Sequence, residues 1–492
     1  MEREEVEIVC SSCGARGVRV GPLGTCQTCG GILTAEYDSP DAHDHKGVFE
    51  GEGIWRYSSL LPIKPKSVPI SLGEGGTTLL RSQRLGEILG MSKLLLKNET
   101  TNPTGCFVDR GTALEMIYAR DSDYTSVACA LSGNLAASVA AYGARAGMVC
   151  RAFLKSNVDL GKLYQIVAYG AKITHVTDEE EAHRAMARLG DECHPITNHS
   201  PFFLEGIKTT GLEIAEQLKW QPPDRIVISI GTGAHLAMIW KGLKELEKLG
   251  LIDASKTSMT GVQIEGCAPI VEALENREVR YNDSKISLAR EIAIQHPQMT
   301  DRAIAAIRES DGTATAVGEK DIVEAVQLLA RAEGVFAEPA AAASVAGLRK
   351  LIENGFIERD ERVVCVITGT GLKEPIASQK ALRKFAGAQR IARRMERRIR
   401  MLDIGSTKEA ILRLIGSGSD YGYGIWRKLK DDSGISISVV SVYQHLSELE
   451  TAELIRKERV ESSTARRKRV IYGLTSKGQK FLEQNEEALP PQ

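Results

Sequence analysis

The chain has 492 residues, 42% hydrophobic and 26% charged, with 63 Lys and Arg against 64 Asp and Glu and a net charge of −1. That length excludes a single ordinary domain, and the neutral balance excludes a whole-chain electrostatic case for nucleic acid. No apolar run is long enough to cross a bilayer, and Met1 to Glu5 lack the basic-then-apolar order of a signal peptide, so a cytoplasmic protein with no membrane partner is expected.

Four of the ten cysteines form two tight pairs, Cys10-Ser-Ser-Cys13 and Cys26-Gln-Thr-Cys29. Glycines Gly14 and Gly30 follow them and allow a tight turn around a metal. Four thiolates at this spacing can close a tetrahedral Zn²⁺ shell with no open position, so a structural zinc ribbon is expected over residues 5–38. Free cysteines or a redox pair are the alternative. The six other cysteines lie in apolar surroundings, which suits a reducing compartment. Asp41-Ala-His-Asp-His45 reads as a polar linker whose histidines are solvated.

From about residue 50 to 385, short apolar strands alternate with helical runs. Ser126–Leu131, Cys150–Leu154, Lys172–Val176, Arg225–Ile230 and Arg362–Thr368 read as strands. Asn134–Gly147 and Leu160–Tyr169 read as helices. This pattern predicts an α/β fold with parallel sheets, helices on both faces, and two lobes around a cleft. Four strand-to-helix elbows stand out. The first is Asn102-Pro-Thr-Gly-Cys-Phe-Val-Asp-Arg-Gly111, after the strand Leu94–Leu96 and before a helix expected over Thr112–Arg120. The second, Leu131-Ser-Gly-Asn134, opens a helix whose N–H groups can hold a carboxylate. The third, Gly231-Thr-Gly-Ala-His235, can wrap an oxyanion, and the fourth is Thr368-Gly-Thr-Gly-Leu-Lys-Glu-Pro375.

These elbows, with Ser71-Leu-Gly-Glu-Gly-Gly76 and Glu338-Pro-Ala-Ala-Ala-Ala343, closely resemble threonine synthase and its fold-type II pyridoxal-phosphate (PLP) relatives, over residues 5 to 385. The resemblance implies a two-lobed, tryptophan synthase β-like body and accounts for a zinc ribbon ahead of it. It implies that Ser132 and Gly133 take a substrate carboxylate and that Asn134 bonds the cofactor ring. It further implies that Gly231, Thr232, Gly233, Ala234 and His235 cradle the cofactor phosphate, and that Thr368 bonds the pyridine nitrogen. In that family the first elbow carries the lysine that links to PLP. Here the position is Val108, which can neither form that link nor shuttle a proton. Lys97, the nearest upstream lysine, is expected to be solvated or structural.

Other departures point the same way. Hydroxyl residues flanking the family's carboxylate loop are here Leu131 and Leu135. The asparagine and arginine that hold the phosphate of O-phosphohomoserine are here Ser200 and Phe203. A doubly charged phosphate in a low-dielectric cleft needs cations or strong donors, so that substrate is expected to be rejected.

Beyond residue 385 the basic residues Arg390, Arg393, Arg394, Arg397, Arg398 and Arg400 suggest a linker helix over 386–402. Residues 403–490 then read as three helices, a β-hairpin and a last helix, which is a winged helix-turn-helix. Tyr421-Gly-Tyr and the Val-Tyr-x-x-Leu-x-x-Leu-Glu pattern ending at Glu450 make this part similar to PadR-type transcriptional regulators. The resemblance implies DNA contacts from Ser441, Tyr443 and Gln444 on the third helix and from Arg466, Arg467, Lys468 and Arg469 on the wing. The expectation is a homodimeric, ligand-sensing DNA-binding regulator with no catalytic residue. Its body would hold structural Zn²⁺ and, non-covalently, PLP, a PLP–amino acid adduct or an amino-acid-like ligand. The alternative is an active PLP-dependent lyase with a DNA-binding tail.

Overall fold

The computed structural model describes residues 7–36 except 19, 22 and 23, residues 49–375 except 64–69, 157 and 279–286, and residues 406–486 except 419, 420, 433, 434, 436 and 463–467. The chain divides into two compact units, Met1–Leu382 and Arg383–Gln492. The Asp41–His45 linker and the basic linker helix expected over 386–402 lie outside the described residues.

At the start, β1 (Glu7–Cys10) pairs antiparallel with β2 (Leu33–Glu36), with Cys10 opposite Leu33. Gly14 and Gly30 have φ of 69° and 72°, the left-handed region that a side chain resists, so each cysteine pair ends in a tight turn.

The body is two parallel sheets, one inserted within the sequence of the other. The chain lays down β3 (Leu79–Arg81), the short α1 (Arg84–Leu89) and β4 (Leu95–Asn98). It then leaves through α2 (Val108–Asp121) to build a second lobe. That lobe contains β5 (Ser126–Ala130), α3 (Gly133–Ala146), β6 (Val149–Leu154), α4 (Leu160–Ala168), β7 (Lys172–His175), α5 (Glu179–Ala187) and β8 (Cys193–Pro195). Its four strands are parallel, in the order β7-β6-β5-β8.

Through α6 (Pro201–Gln217) the chain returns to the first sheet. It adds β9 (Arg225–Ser229), α7 (Ala234–Lys248), β10 (Ser258–Ile264), α8 (Pro269–Leu274), α9 (Thr300–Glu309), β11 (Thr313–Val317), α10 (Glu319–Glu333), α11 (Pro339–Glu353) and β12 (Val363–Ile367). The six-stranded order is β11-β10-β9-β12-β4-β3, parallel except for the edge strand β3. Strands β9 and β12 are buried at every residue, as apolar runs covered on both faces must be.

The helix after the first elbow starts at Val108, four residues earlier than expected. Asp109 explains the difference. Its carboxylate accepts from the Thr104 N–H and hydroxyl at 2.7 Å each and from the Ser138 hydroxyl at 2.6 Å, closing the turn early. A carboxylate in the first turn also favours the helix dipole. Behind the elbow lies a buried ion network. Arg110 meets Glu99 and Glu213 at 2.7 Å each, and Lys97 meets Glu213 at 2.7 Å. Lys97 is therefore structural and faces away from the cleft chemistry. Burial alone would raise the Glu99 carboxyl, but Arg110 holds it down at about 2.

The second unit has helices Ser406–Gly416, Gly422–Asp432 and Val439–Thr451, then β13 (Ile455–Ser462) paired antiparallel with β14 (Lys468–Leu474), and helix Ser476–Glu486. Ile411, Leu412, Ile425, Leu429, Val442 and Leu446 form its core. Among the described residues, no helix is long and apolar enough to cross a membrane.

Candidate functional site

The four Sγ atoms of Cys10, Cys13, Cys26 and Cys29 lie within 4.8 Å of one another. This donor set fits a four-thiolate ion of tetrahedral preference.

Four elbows converge on a cavity of about 800 Å³ between the two sheets. Val108, Ser132, Gly133, Asn134, the whole Gly231–His235 loop and Thr368 all line it. The first elbow is tied to the last by the Phe107 N–H, which donates to the Thr368 carbonyl at 3.0 Å. Val108, only 4% exposed, presents an isopropyl group where this elbow meets the cavity. Leu131 and Leu135 also line the cavity, and Leu131 has φ of 69°. A bulky residue held in that region stores strain of about 1–3 kcal/mol, as binding elbows often do.

Gly231 and Gly233 are dictated by close approach. A Cβ at Gly231 would stand 2.7 Å from the Glu291 carbonyl oxygen, and one at Gly233 would stand 2.9 Å from that of Met299. Among the described residues, the N–H groups of Gly231, Thr232 and Gly233 meet no acceptor. The loop thus offers bare donors at the start of α7, an arrangement suited to a phosphate. Four buried polar atoms on the cavity wall also have no partner among the described residues: Asn134 Oδ1, Ser229 Oγ, His235 Nδ1 and Glu374 Oε2. Buried polar groups are normally satisfied, so these atoms fit a polar ligand such as PLP.

The His235 side chain is buried. Its ring stacks on Phe107 at 4.0 Å, its Nε2 lies 3.0 Å from the Thr210 hydroxyl, and burial lowers it to about 3, so it is neutral. Asn134 Nδ2 donates to both oxygens of Glu338 at 3.3 Å, leaving Oδ1 for the cavity. Phe203 lines the cavity and packs its ring against Gly111. Ser200 does not reach it. Its side chain is fully buried and its Oγ accepts from the Thr197 N–H at 2.9 Å.

Four further charged residues of the cavity, Lys162, Glu291, Glu338 and Glu374, were not among the expected site residues. Lys162 Nζ lies 2.5 Å from Glu291 and 2.6 Å from Glu374, with Glu338 at 4.0 Å. Burial would lower the Lys162 ammonium, but Glu291, Glu338 and Glu374 together raise it, so it stays charged and is a poor nucleophile. Burial, then Glu338, pushes Glu374 up to about 8. Burial would raise Glu291, but Lys162 pulls it below the usual carboxylate range. One signal was available. Lys162 and the buried Ile166 fall four residues apart on one stripe of α4, so a lysine occupies a core position. Glu291 sits in a single 3-10 turn, Arg290–Ile292, too short for a periodicity to mark it.

In the second unit, the Ser438 hydroxyl caps helix Val439–Thr451 by accepting from the Ser441 N–H at 3.0 Å. Tyr443 is 49% exposed, and Gln444 is exposed with its amide donating to Glu448 at 3.1 Å. Val442, Leu446 and Leu449 bury the opposite face. Arg466 and Arg467 lie outside the described residues, as do the side chains of Lys468 and Arg469, whose backbone starts β14.

Comparison with known proteins agrees with both halves. The family described as "Pyridoxal-phosphate dependent enzyme" matches residues 70–369, and the "Transcriptional regulator PadR-like family" matches residues 411–484. Threonine synthase of Methanocaldococcus jannaschii is 43% identical over 383 residues, 76% of this chain and 94% of that protein. Threonine synthase of Methanosarcina acetivorans is 40% identical over 374 residues, 74% and 92% of the two chains. Among solved structures, a fungal L-serine ammonia-lyase from Rhizomucor miehei superposes with a TM-score of 0.54 at 19% identity, covering 63% of this chain and 98% of that one. Maize serine racemase gives 0.52 at 19%, covering 60% and 87%. With the elbows, the two parallel sheets and the cavity on the same residues, the chain belongs to the threonine synthase group of the pyridoxal-phosphate dependent enzyme family, with a PadR-like regulator domain at its C-terminal end.

Proposed function

We propose that this protein is a ligand-sensing, DNA-binding transcriptional regulator whose threonine synthase-like body holds a ligand without turning it over. One observation carries the reading: Val108, not an amine, stands at the elbow that meets the cavity. PLP, when bound, supplies an electron sink for amino-acid chemistry. The Gly231–His235 amides would hold its phosphate, and Asn134 and Thr368 would hold its ring. Val108 gives it no covalent anchor and offers no base. Ser441, Tyr443, Gln444 and the Arg466–Arg469 wing would meet DNA, and a homodimer would place two such units on paired half-sites. Ligand binding would act by shifting the balance between dimer geometries, which requires different affinity for the two states. The four N-terminal cysteines would hold structural Zn²⁺.

The second reading, an active lyase with a DNA-binding tail, draws on Lys162, a lysine buried in the cavity wall. Its three carboxylate neighbours keep it protonated, which favours the first reading. Purified full-length protein mixed with PLP and treated with borohydride separates the two. The regulator reading expects no new visible band and no mass increase after dialysis. A yellow protein with a reduced PLP label on any lysine of the cleft would support the lyase.

A further inference from the structure

Four polar links cross the cavity, and each uses a carboxylate from the six-stranded side. Ser132 Oγ donates to Glu291 Oε2 at 3.3 Å. Lys162 bonds Glu291 and Glu374, and Asn134 bonds Glu338. Glu291 therefore spans two sites at once, with one oxygen on the residue that caps α3 and the other on a buried ammonium. Helix α3 has 14 residues, and Ser132 also accepts from the Leu135 N–H at 3.3 Å. Among the described residues, the Gly133 and Asn134 N–H groups meet no acceptor. Asn134 Oδ1, on a side chain 4% exposed, points to a second unmet partner at the same place.

The charge count is uneven. Three carboxylates surround one ammonium in a buried pocket, so the cluster lacks positive charge. A proton supplies part of the deficit, since Glu374 is pushed up to about 8. A ligand ammonium would supply it better. The three acids also differ in burial. The Glu291 side chain is 24% exposed, against 2% for Glu338 and 5% for Glu374, so Glu291 is the one that can leave toward water at least cost.

We propose that Glu291 is a built-in stand-in for the carboxylate of a small, free α-amino acid. The ligand displaces Glu291, its own carboxylate joins Ser132, α3 and Lys162, and its ammonium meets Glu338 and Glu374. The wall around that place, Val108, Leu131, Leu135 and Phe203, fits a short side chain of low charge. This rests on the reading of the cavity as a ligand site for an amino acid and adds the residue of this chain, Glu291, that competes with the ligand.

Calorimetric titration of the full chain tests the proposal, with L-serine, L-threonine and L-valine as probes and L-threonine amide as the carboxylate-free control. Glu291→Gln removes the competitor's charge and keeps its shape; Glu291→Ala is the second variant. At least one probe should bind both variants about tenfold or more tighter than it binds the unmodified chain, and the amide should bind about tenfold or more weaker than threonine. Equal affinity with and without Glu291 overturns the proposal, as does amide binding equal to threonine. So does absence of binding by every probe to all three proteins at about 10 mM. A parallel titration with PLP keeps the two claims apart. If PLP binds and no amino acid does, the body remains a cofactor-holding site and only this assignment falls. If neither binds, both fall.

Discussion

At the scale of single residues, the cavity carries Val108 where the family has its lysine, and beside it a buried charge cluster of Lys162, Glu291, Glu338 and Glu374. Val108→Lys restores the amine at a 4%-exposed position on the cavity wall. The variant should turn yellow with PLP and retain a borohydride-stable label at Lys introduced there, while the unmodified chain should not; mass spectrometry of the labelled peptide checks this. Glu374 gives a pH signature. Its folded value is about 8 against an ordinary 4.5, with Lys162, Glu338 and Glu291 as the charged groups facing it. Below about 4.5 both states hold the proton and the neutral carboxyl costs nothing. Between those values only the folded state holds it, so stability declines with rising pH and levels off above about 8. Glu374→Gln removes that penalty. Its melting temperature should rise relative to the unmodified chain from pH 5 to pH 8; a constant difference across that range would contradict the assignment.

At the scale of elements, the elbow is rigid because Arg110 locks α2 to α6 and to the Glu99 turn. Removing it takes the bonded guanidinium from the buried Glu99 and leaves Glu213 to Lys97 alone, a loss of about 3–5 kcal/mol. Arg110→Gln should therefore lower the thermal midpoint sharply, whereas Arg16→Gln, on an exposed pair, should leave it nearly unchanged. The four-cysteine turn should carry about one Zn²⁺ per chain, and Cys26→Ser should lose it, as read by metal analysis. Strands β5, β6, β9 and β12 were legible as apolar runs, and the elbows were legible as turn chemistry. The start of α2 was not, because the hydrogen bonds of Asp109 that set it come from Thr104 and Ser138, 5 and 29 residues away. Lys162 was legible in part, as a charge on an apolar stripe, but its three partners lie 129 to 212 residues away and only the folded chain brings them together.

At the scale of the whole molecule, the chain joins a threonine synthase-like body to a PadR-like regulator domain, and the proposed function couples a cavity that holds its ligand without converting it to DNA recognition. With a neutral net charge, the proposed DNA affinity would come from local charge, chiefly the wing. Retention of the full chain on DNA should fall linearly in log affinity against log salt, and Arg466→Ala should reduce the slope by about 1. The measurement that tests the central claim most directly is a turnover assay of the full chain with added PLP, following ammonia from L-serine and L-threonine and phosphate from O-phosphohomoserine. The account predicts no release above the protein-free rate. Sustained release that disappears in a Lys162→Met variant would contradict it.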